Sequence, residues 1–222
     1  MKQIVFATGN ASKAKRFSKG LAEKHIKVLS LKDLNISLNV EENGKTAIEN
    51  ASIKARECFK KTNMPTIGMD DTLYLENVPE DKQPGLYVRR VNGKTLNDEE
   101  MIEHYTNLVN QYGKNGRMNC KWIYGLALID ENGKESTYTW SKDNFFMVNT
   151  KSDKINPGYP LNSISKYKDI DKYFSDILTK EEMKLIEWNE DDVVEFISSH
   201  LGNEKGGYKK DDIKNISFQK RR

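Results

Sequence analysis

Residues 4–31, IVFATGNASKAKRFSKGLAEKHIKVLSL, contain the pattern that decides the fold class of this chain. Residues 4–7 are an apolar run that predicts a buried strand. Residues 12–24 repeat apolar positions at helical spacing, which predicts an amphipathic helix with Phe17, Leu21 and Ala22 directed inward. Residues 26–31 predict a second strand. Because strands joined through a helix usually pair in parallel, the opening predicts an α/β fold.

The turn between the first strand and the helix is polar and is followed by cationic residues. Thr8, Gly9 and Asn10 form the turn, and Lys13, Lys15 and Arg16 follow on the helix. Backbone amides and a lysine that face one way can hold a phosphate group. Many α/β proteins begin in this way, so the turn alone does not identify a function.

The rest of the chain continues the α/β pattern. Helices are predicted over residues 46–61, 98–112, 179–188 and 190–201, a strand over residues 66–75, and a hairpin over residues 120–129 and 135–148. Residues 35–44 and 76–94 are predicted to be loops, and residues 151–173 irregular. We expect one two-lobed domain over residues 1–203 and a basic, mobile tail over residues 204–222.

Composition limits the class of protein. The 222 residues carry a formal net charge of +3 with 31% charged residues, a mixture that is not typical of a nucleic-acid-binding protein. No apolar run approaches the roughly 18–20 residues of a membrane helix, and the N-terminus lacks a secretory pattern. Cys58 and Cys120 show no metal-ligand spacing, and the three histidines are scattered. We expect a cytoplasmic protein with reduced core thiols.

Two acidic stretches are candidates for metal ligands. Glu41 and Glu42 lie in the loop before the helix over residues 46–61, where a solvated loop is the simpler interpretation. Glu49 and Lys54, on that helix, are interpreted as surface or helix-stabilising residues.

Asp70 and Asp71 interrupt the strand pattern IGMDDTLYL. Strands disfavour aspartate, and a buried carboxylate without a partner costs several kcal/mol. Because neighbouring strand residues face opposite sides, one carboxylate can face a cleft while the other meets backbone amides or a cation. A divalent cation such as Mg²⁺ or Mn²⁺ would remove the electrostatic cost. The alternative is a turn or bulge.

The stretch PGLYVRRVNGK offers guanidinium groups that suit phosphate. Gly85 allows a close backbone approach, and Arg89 and Arg90 follow it. A solvated edge is the alternative interpretation for adjacent arginines.

Four of these stretches, in this order, resemble the inosine triphosphate pyrophosphatase family, which hydrolyses non-canonical purine nucleoside triphosphates. They are ATGNASK over residues 7–13, EENGKTAIENASIKA over residues 41–55, DDT over residues 70–72 and PGLYVRR over residues 84–90. The good match covers roughly the first 130 residues. The resemblance implies a long twisted mixed sheet flanked by helices, two lobes with the active site in the cleft between them, and usually a homodimer.

The resemblance also implies roles for individual residues. Asp71 would activate water as the metal-linked base with Asp70 in support, and Glu42 would hold Mg²⁺. The phosphate-binding residues would be Thr8, Asn10, Lys13, Thr72 and Arg90. Lys13, with the metal and Arg90, would neutralise charge that develops in the reaction.

The last third departs from the family, where we look for an FGYDP motif and then a lysine followed by SHR. The stretch NPGYPLNSI keeps Gly158 and Tyr159 but has Pro160 in place of the aspartate. Met183 stands at the lysine, and residues 187–189 (Glu-Trp-Asn) stand at SHR. A Ser-His pair at residues 199–200 is followed by leucine instead of arginine, and we interpret it as a coincidence.

The phosphate and metal half therefore matches the family, whereas the base-reading half is rewritten. Tyr159 remains a candidate substrate ligand. Trp188 could stack on a base and Glu187 or Asn189 could hydrogen-bond its edge, although core packing is an alternative for Trp188.

The sequence thus predicts a Mg²⁺-dependent nucleoside triphosphate pyrophosphatase with altered base preference. A nucleotide-binding sensor or regulator with weak turnover is the alternative, although such a protein has no need for a water-activating carboxylate. The basic tail could contact nucleic acid; a solvated end is the simpler interpretation.

Overall fold

The computed structural model describes residues 1–9, 11–186 and 190–201. The strands are β1 (Lys2–Phe6), β2 (Ile26–Ser30), β3 (Thr66–Leu75), β4 (Arg90–Val91), β5 (Lys94–Thr95), β6 (Arg117–Ile129), β7 (Glu135–Val148) and β8 (Ser165–Tyr167). The helices are α1 (Ala11–Lys15), α2 (Ser18–Glu23), α3 (Ala47–Thr62), α4 (Asp98–Tyr112), α5 (Lys180–Leu185) and α6 (Asp191–His200), with 3₁₀ turns at Glu80–Lys82 and Pro160–Ser163.

Six of the strands form one mixed sheet in the order β2-β1-β3-β6-β7-β8, and β4 pairs with β5 in a separate ribbon. Strand β1 pairs in parallel with β2 and β3, as the β-α-β opening predicts, whereas β7 and β8 are antiparallel. The predicted α/β fold, a mixed sheet flanked by helices, is confirmed.

The predicted helix over residues 12–24 is two short helices, α1 and α2, separated at Arg16 and Phe17. Phe17 and Leu21 are buried as expected, but Ala22 is exposed, so its prediction was wrong. The break restarts the helical phase at Ser18, and Leu21 is the buried residue of α2. A single periodic pattern over both helices therefore assigned Ala22 to the wrong side.

The chain divides into two compact units. The first comprises Met1–Met69, Leu126–Tyr138 and the described part of Glu190–Arg222. One of its core clusters is formed by Val5, Ala7, Leu29, Leu31, Cys58 and Met64. Helix α3 packs on this unit through its alanines, since Ala51 and Ala55 form a second cluster with Ala127 and Ile129.

Helix α6 belongs to the first unit. A Cβ on Gly20 of α2 would lie 2.9 Å from Val194 Cγ2, so the two helices touch at a residue without a side chain. Arg16 forms a bidentate ion pair with Glu190, and the ring of Phe196 stacks on Tyr138 at 5.0 Å.

The second unit comprises Asp70–Gly125 and Thr139–Asn189. Its apolar core joins α4 to β3, β6 and β7, with fully buried members Leu73, Tyr105, Phe145, Met147 and Ile164. Helix α4 begins as predicted, because Asn97 accepts a hydrogen bond from Glu100 N–H and the Glu100 carboxylate accepts one from Asn97 N–H.

Residues 151–173 were predicted to be irregular, but they contain a 3₁₀ turn and strand β8. Three residues are too few to show a strand period, and β8 is defined by its pairing with β7.

Both cysteines are buried free thiols, which confirms the prediction of reduced core thiols. No helix in the described part of the chain is long and apolar enough to cross a membrane.

Candidate functional site

The turn after β1 and helix α1 carry the candidate phosphate ligands of the first unit. Thr8 is half-buried, and its backbone N–H donates to Phe6 O at 2.8 Å, which bends the chain directly after the strand. A Cβ on Gly9 would meet no atom within 4 Å, so the turn is open on that side. Lys13 follows on α1 and is half-buried. Asn10 lies outside the described residues.

The loop before α3 is folded onto the first turn of that helix. Gly44 N–H donates to Asn50 Oδ1 at 2.8 Å, and Lys45 N–H donates to Glu49 Oε2 at 2.7 Å. Thr46 caps the helix by accepting from Glu49 N–H at 3.3 Å. A Cβ on Gly44 would lie 2.6 Å from Asn50 Oδ1, so glycine permits the close approach. The helix-stabilising interpretation of Glu49 is confirmed.

Glu42 in this loop is paired with Lys54. Lys54 Nζ lies 3.2 Å from Glu42 Oε2, with side chains 13% and 32% exposed respectively. The same ammonium group donates to the backbone oxygen of Met69 at 3.3 Å, one residue before Asp70. The interpretation of Lys54 as a surface residue was therefore wrong.

A signal for Lys54 was present in the sequence. Lys54 follows Asn50 by four residues and Ala51 by three, and both of those residues are buried. At helical spacing, Lys54 lies at the edge of the buried stripe of α3.

Gly68 brings α3 against β3. A Cβ on Gly68 would lie 2.0 Å from Ala51 O and 2.8 Å from Ala55 N, both backbone atoms of α3. No side chain fits between the helix and the strand. This close packing allows Lys54 to reach the Met69 oxygen.

Asp70, Asp71 and Thr72 lie within strand β3, so the alternative of a turn at this position was wrong. Asp70 and Thr72 are each 7% exposed, whereas Asp71 is half-buried. Asp71 has the same strand phase as Leu73 and Leu75, which belong to the apolar core of the second unit. The two carboxylates therefore leave the strand on opposite faces.

The loop after β3 returns alongside the strand. Leu73 and Gly85 exchange two backbone hydrogen bonds, of 3.0 and 3.1 Å, and Gly85 has φ of +52°. The Gln83 side chain accepts from Leu75 N–H and donates to the Leu75 and Val78 oxygens. Gln83 thus replaces a strand neighbour at the end of β3.

The two adjacent arginines in this loop have different surroundings. Arg89 donates to Leu96 O at 3.1 Å and to Asp98 Oδ1 at 2.8 Å, so it holds the loop to the start of α4. Arg90 is exposed, and its guanidinium lies 5.2 Å from the centre of the Tyr87 ring. Arg90 is therefore the arginine presented at the surface.

The stretch NPGYP forms a turn. Tyr159 N–H donates to Asn156 O at 2.9 Å, and Gly158 has φ of +82°, the pattern of a type II turn with Pro157 in its second position. Tyr159 is half-buried, and Pro160 is the first residue of the following 3₁₀ turn. Proline in place of the expected aspartate is thus used to start that turn.

The remaining candidates of the last third lie at and beyond α5. Met183 is on α5 and 52% exposed. Glu187, Trp188, Asn189 and the tail over residues 204–222 lie outside the described residues. His200 ends α6, where its Nδ1 lies 2.8 Å from Phe196 O in an exposed setting.

A magnesium ion fits the chemistry of the donor set, although the described residues contain no cluster of three or more His, Cys, Asp or Glu that could hold a metal. Mg²⁺ is usually bound through one or two carboxylates, with substrate phosphates and water completing the octahedron. Glu42, Asp70 and Asp71 carry carboxylate oxygens of the kind that Mg²⁺ prefers.

Comparisons with known proteins bear on the family. Residues 4–142 match the model of the Ham1 family. A dITP/XTP pyrophosphatase of Leptospira interrogans is 36% identical over 137 residues, which are 61% of this chain and 66% of the relative. The match thus spans just under two thirds of that relative's length. A dITP/XTP pyrophosphatase of Wigglesworthia glossinidia brevipalpis is 30% identical over 186 residues, 83% of this chain and 90% of the relative.

Solved structures support the fold. The Ham1 protein of Staphylococcus aureus aligns with a TM-score of 0.63 at 24% identity, and the alignment covers 83% of this chain and 91% of that protein. A HAM1 protein of Coxiella burnetii has a TM-score of 0.66 at 22% identity, covering 90% and 98% respectively. The fold therefore extends beyond the part with recognisable sequence motifs. With a family match over residues 4–142 and a relative aligned along most of both chains, this chain belongs to the Ham1 family.

Proposed function

We propose that this chain is a nucleoside triphosphate pyrophosphatase, which hydrolyses its substrate to the nucleoside monophosphate and pyrophosphate. The observation that carries the proposal is family membership, together with relatives that are named dITP/XTP pyrophosphatases. The retained TGN, EENGK, DDT and PGLYVRR stretches support it.

Asp71 is the proposed general base. Its carboxylate takes a proton from water, the water oxygen attacks the α-phosphorus, and the bond to the bridging oxygen breaks as pyrophosphate leaves. Asp70 has a supporting role in this proposal. Because Asp70 is buried, few solvent molecules compete for its carboxylate oxygens. General-base catalysis of this kind contributes on the order of 10²–10⁴-fold.

The proposed phosphate ligands are Thr8, Asn10, Lys13, Thr72 and Arg90. Lys13 and Arg90 would stabilise negative charge as the leaving group departs. The proposed metal ligands are Glu42, Asp70 and Asp71. A bound Mg²⁺, or Mn²⁺, would supply charge neutralisation to the triphosphate.

Lys54 orients Glu42 in this proposal. Its ammonium group lies 3.2 Å from Glu42 Oε2 and holds that carboxylate in place. Its second hydrogen bond, to Met69 O, links the loop that carries Glu42 to the strand that continues into Asp70.

We further propose that the base preference differs from that of the relatives. Met183 and residues 187–189 stand where lysine and SHR are expected, and Pro160 replaces an aspartate. A site rejects an analogue strongly when the analogue leaves buried polar groups unpaired. Without the expected His and Arg, preference for ITP over ATP should be weak or reversed.

The test is a panel of nucleoside triphosphates, including deaminated and modified bases, assayed for pyrophosphate release with Mg²⁺, with Mn²⁺ and with chelator. We expect metal-dependent release from at least one triphosphate and a small ratio of kcat/KM for ITP over ATP. Orthophosphate alone, or no product, would reject the enzyme and favour the nucleotide-binding sensor. A large ITP preference would reject the altered pocket only.

We also propose a cytoplasmic location, with which the two free thiols agree. The proposed oligomeric state is a homodimer. Sedimentation of the purified protein tests the dimer: a monomer at micromolar concentration would reject it.

A further inference from the structure

The second unit contains a row of stacked aromatic rings across β6 and β7. The rings of Trp122 and Tyr124 lie 6.2 Å apart at 23°, and those of Tyr124 and Trp140 lie 4.9 Å apart at 21°. Tyr124 is buried in the middle, and both tryptophans are half-buried. We call Trp122, Tyr124 and Trp140 the aromatic ladder.

The aromatic ladder lies on the same face of the sheet as Asp71. Trp122 packs against the core cluster that contains Leu73 and Leu75, and Asp71 shares their phase on β3. Strand β3 is the neighbour of β6. The proposed base and the aromatic ladder therefore face the same side within one unit.

The position along the strands agrees with this placement. Glu76, just after β3, donates its N–H to Asn119 O at 3.0 Å near the start of β6. Gly68 near the start of β3 and the end of β6 both contact α3, so the two strands run in opposite directions. Asp71 lies five residues before Glu76 on β3, and Tyr124 lies five residues after Asn119 on β6. The middle ring of the aromatic ladder is thus level with the Asp71 carboxylate.

This part of the face is not a continuation of the apolar core. Lys142 follows Trp140 at two-residue spacing on β7, and the neighbouring residues Ser141 and Asp143 are exposed, so Lys142 lies on the same face as the aromatic ladder. Lys142 is only 7% exposed. Aromatic side chains with a few convergent polar and charged groups are typical of the wall of a ligand site.

We propose that the aromatic ladder is the surface on which the nucleobase of the substrate stacks, with Trp140 as its main contact. The inference rests on the proposed function and adds the binding mode of the base. The rings offer a π-face to any base, so they provide affinity without choosing between bases. This complements the rewritten base-reading residues of the last third.

The test compares Trp140→Leu with the wild-type protein. We expect KM to rise by roughly 5- to 50-fold for ITP and ATP alike, with a much smaller change in kcat. Inorganic tripolyphosphate, which has no base, should inhibit both proteins with the same constant. This difference separates base stacking from a general loss of structure.

Two further variants serve as rescue and control. Trp140→Phe keeps a smaller ring, so its KM should lie between those of the wild-type and leucine proteins. If the leucine variant does not fold, the KM of the phenylalanine variant still tests the proposal. Tyr74→Leu removes an exposed aromatic ring that has the opposite phase on β3 from Asp71. The Tyr74 variant should leave KM unchanged.

The outcomes distinguish the inference from the proposed function. In the first outcome, the wild-type protein hydrolyses triphosphates, but Trp140→Leu leaves KM unchanged or weakens inhibition by tripolyphosphate as much as it raises KM. This result would reject stacking on the aromatic ladder and leave the proposed enzyme activity supported. If the wild-type protein releases no pyrophosphate but ATP quenches its tryptophan fluorescence, and Trp140→Leu loses that quenching, the aromatic ladder stands and the enzyme fails. Absence of both turnover and quenching rejects both.

Discussion

At the scale of single residues, the contacts of side chains separate neighbours that look equivalent in sequence. Arg89 holds its loop to Leu96 and Asp98, whereas Arg90 remains at the surface over Tyr87. Asp70 is buried and Asp71 is half-buried on opposite faces of one strand. The proposed general base is therefore Asp71, and the proposed phosphate contact of the two arginines is Arg90.

Asp71→Asn should remove most turnover, by roughly 10²–10⁴-fold in kcat, because the amide cannot accept the proton of the attacking water. The isosteric change should leave the thermal unfolding midpoint nearly unaltered. Steady-state pyrophosphate release and a melting curve on the same sample provide the measurement. Near-normal activity in a folded variant would transfer the role to Asp70 or Glu42.

Lys54→Met should lower activity by at least 10-fold, because it removes the partner of Glu42 and the hydrogen bond to Met69 O while keeping the length of the side chain. Half-saturation by Mg²⁺ should also move to higher concentration. The control is Lys60→Met on the same helix, whose partner Glu57 and own side chain are largely exposed. Equal behaviour of the two variants would contradict a role for Lys54 in the site.

At the scale of elements, two close approaches hold helices in place. Helix α3 lies on β3 at Gly68, and α6 lies on α2 at Gly20. Each contact depends on a missing side chain, and each lies beside residues of the proposed site: Lys54 on α3, and Lys13 on α1, which immediately precedes α2.

Gly68→Ala should destabilise the protein by about 3 kcal/mol or more, because the new methyl group would meet backbone atoms of α3 that cannot rotate away. Urea denaturation gives the free energy of unfolding. Gly9→Ala is the control for stability, since a Cβ there meets nothing within 4 Å and should cost less than about 0.5 kcal/mol. A Gly68→Ala protein as stable as wild type would contradict the packing.

The ion pair between Arg16 and Glu190 joins the end of α1 to the start of α6, with side chains 20% and 16% exposed. Removing either partner leaves a partly buried charge, so Arg16→Ala and Glu190→Ala should each cost roughly 1–3 kcal/mol. The double variant should cost less than the sum of the two, and the interchange of Arg16→Glu with Glu190→Arg should recover part of the loss. Strict additivity in this cycle would mean that the pair does not couple the helices.

At the scale of the whole molecule, each compact unit buries one thiol. Burial raises the pKa of Cys58 to about 11 in the first unit and that of Cys120 to about 12 in the second. Burial also raises the pKa of the Tyr105 hydroxyl. These groups remain protonated in the folded protein at pH values where they ionise in the unfolded chain.

The free energy of unfolding should therefore be unaffected by these thiols below about pH 9 and should fall between about pH 9 and 12, because the unfolded chain loses protons first. Urea denaturation at pH 7, 9 and 10.5 measures the slope. The double variant Cys58→Ala, Cys120→Ala should show a shallower decline, with the part due to Tyr105 remaining. An identical decline in both proteins would contradict the prediction.

The sequence by itself determined the elements with a long enough local pattern, the α/β class and the family. Strand β3 and helix α4 have the predicted bounds because periodicity and caps depend on near neighbours. The phosphate and metal candidates were likewise found from short stretches. In the described residues, those stretches form the turn after β1, the loop and capped start of α3, the middle of β3 and the loop that leads into β4.

Only the tertiary structure decided which residues meet across long separations. The pairing of Lys54 with Glu42 and Met69, the three-residue strand β8, the exposure of Ala22 and the stacking of Trp140 on Tyr124 were not predicted. Each depends on a helix phase, a strand partner or a face of the sheet that is set by packing. A local period can place Lys54 at the edge of a buried stripe, but it does not identify the distant residues that it meets, and these are set only when the chain is folded.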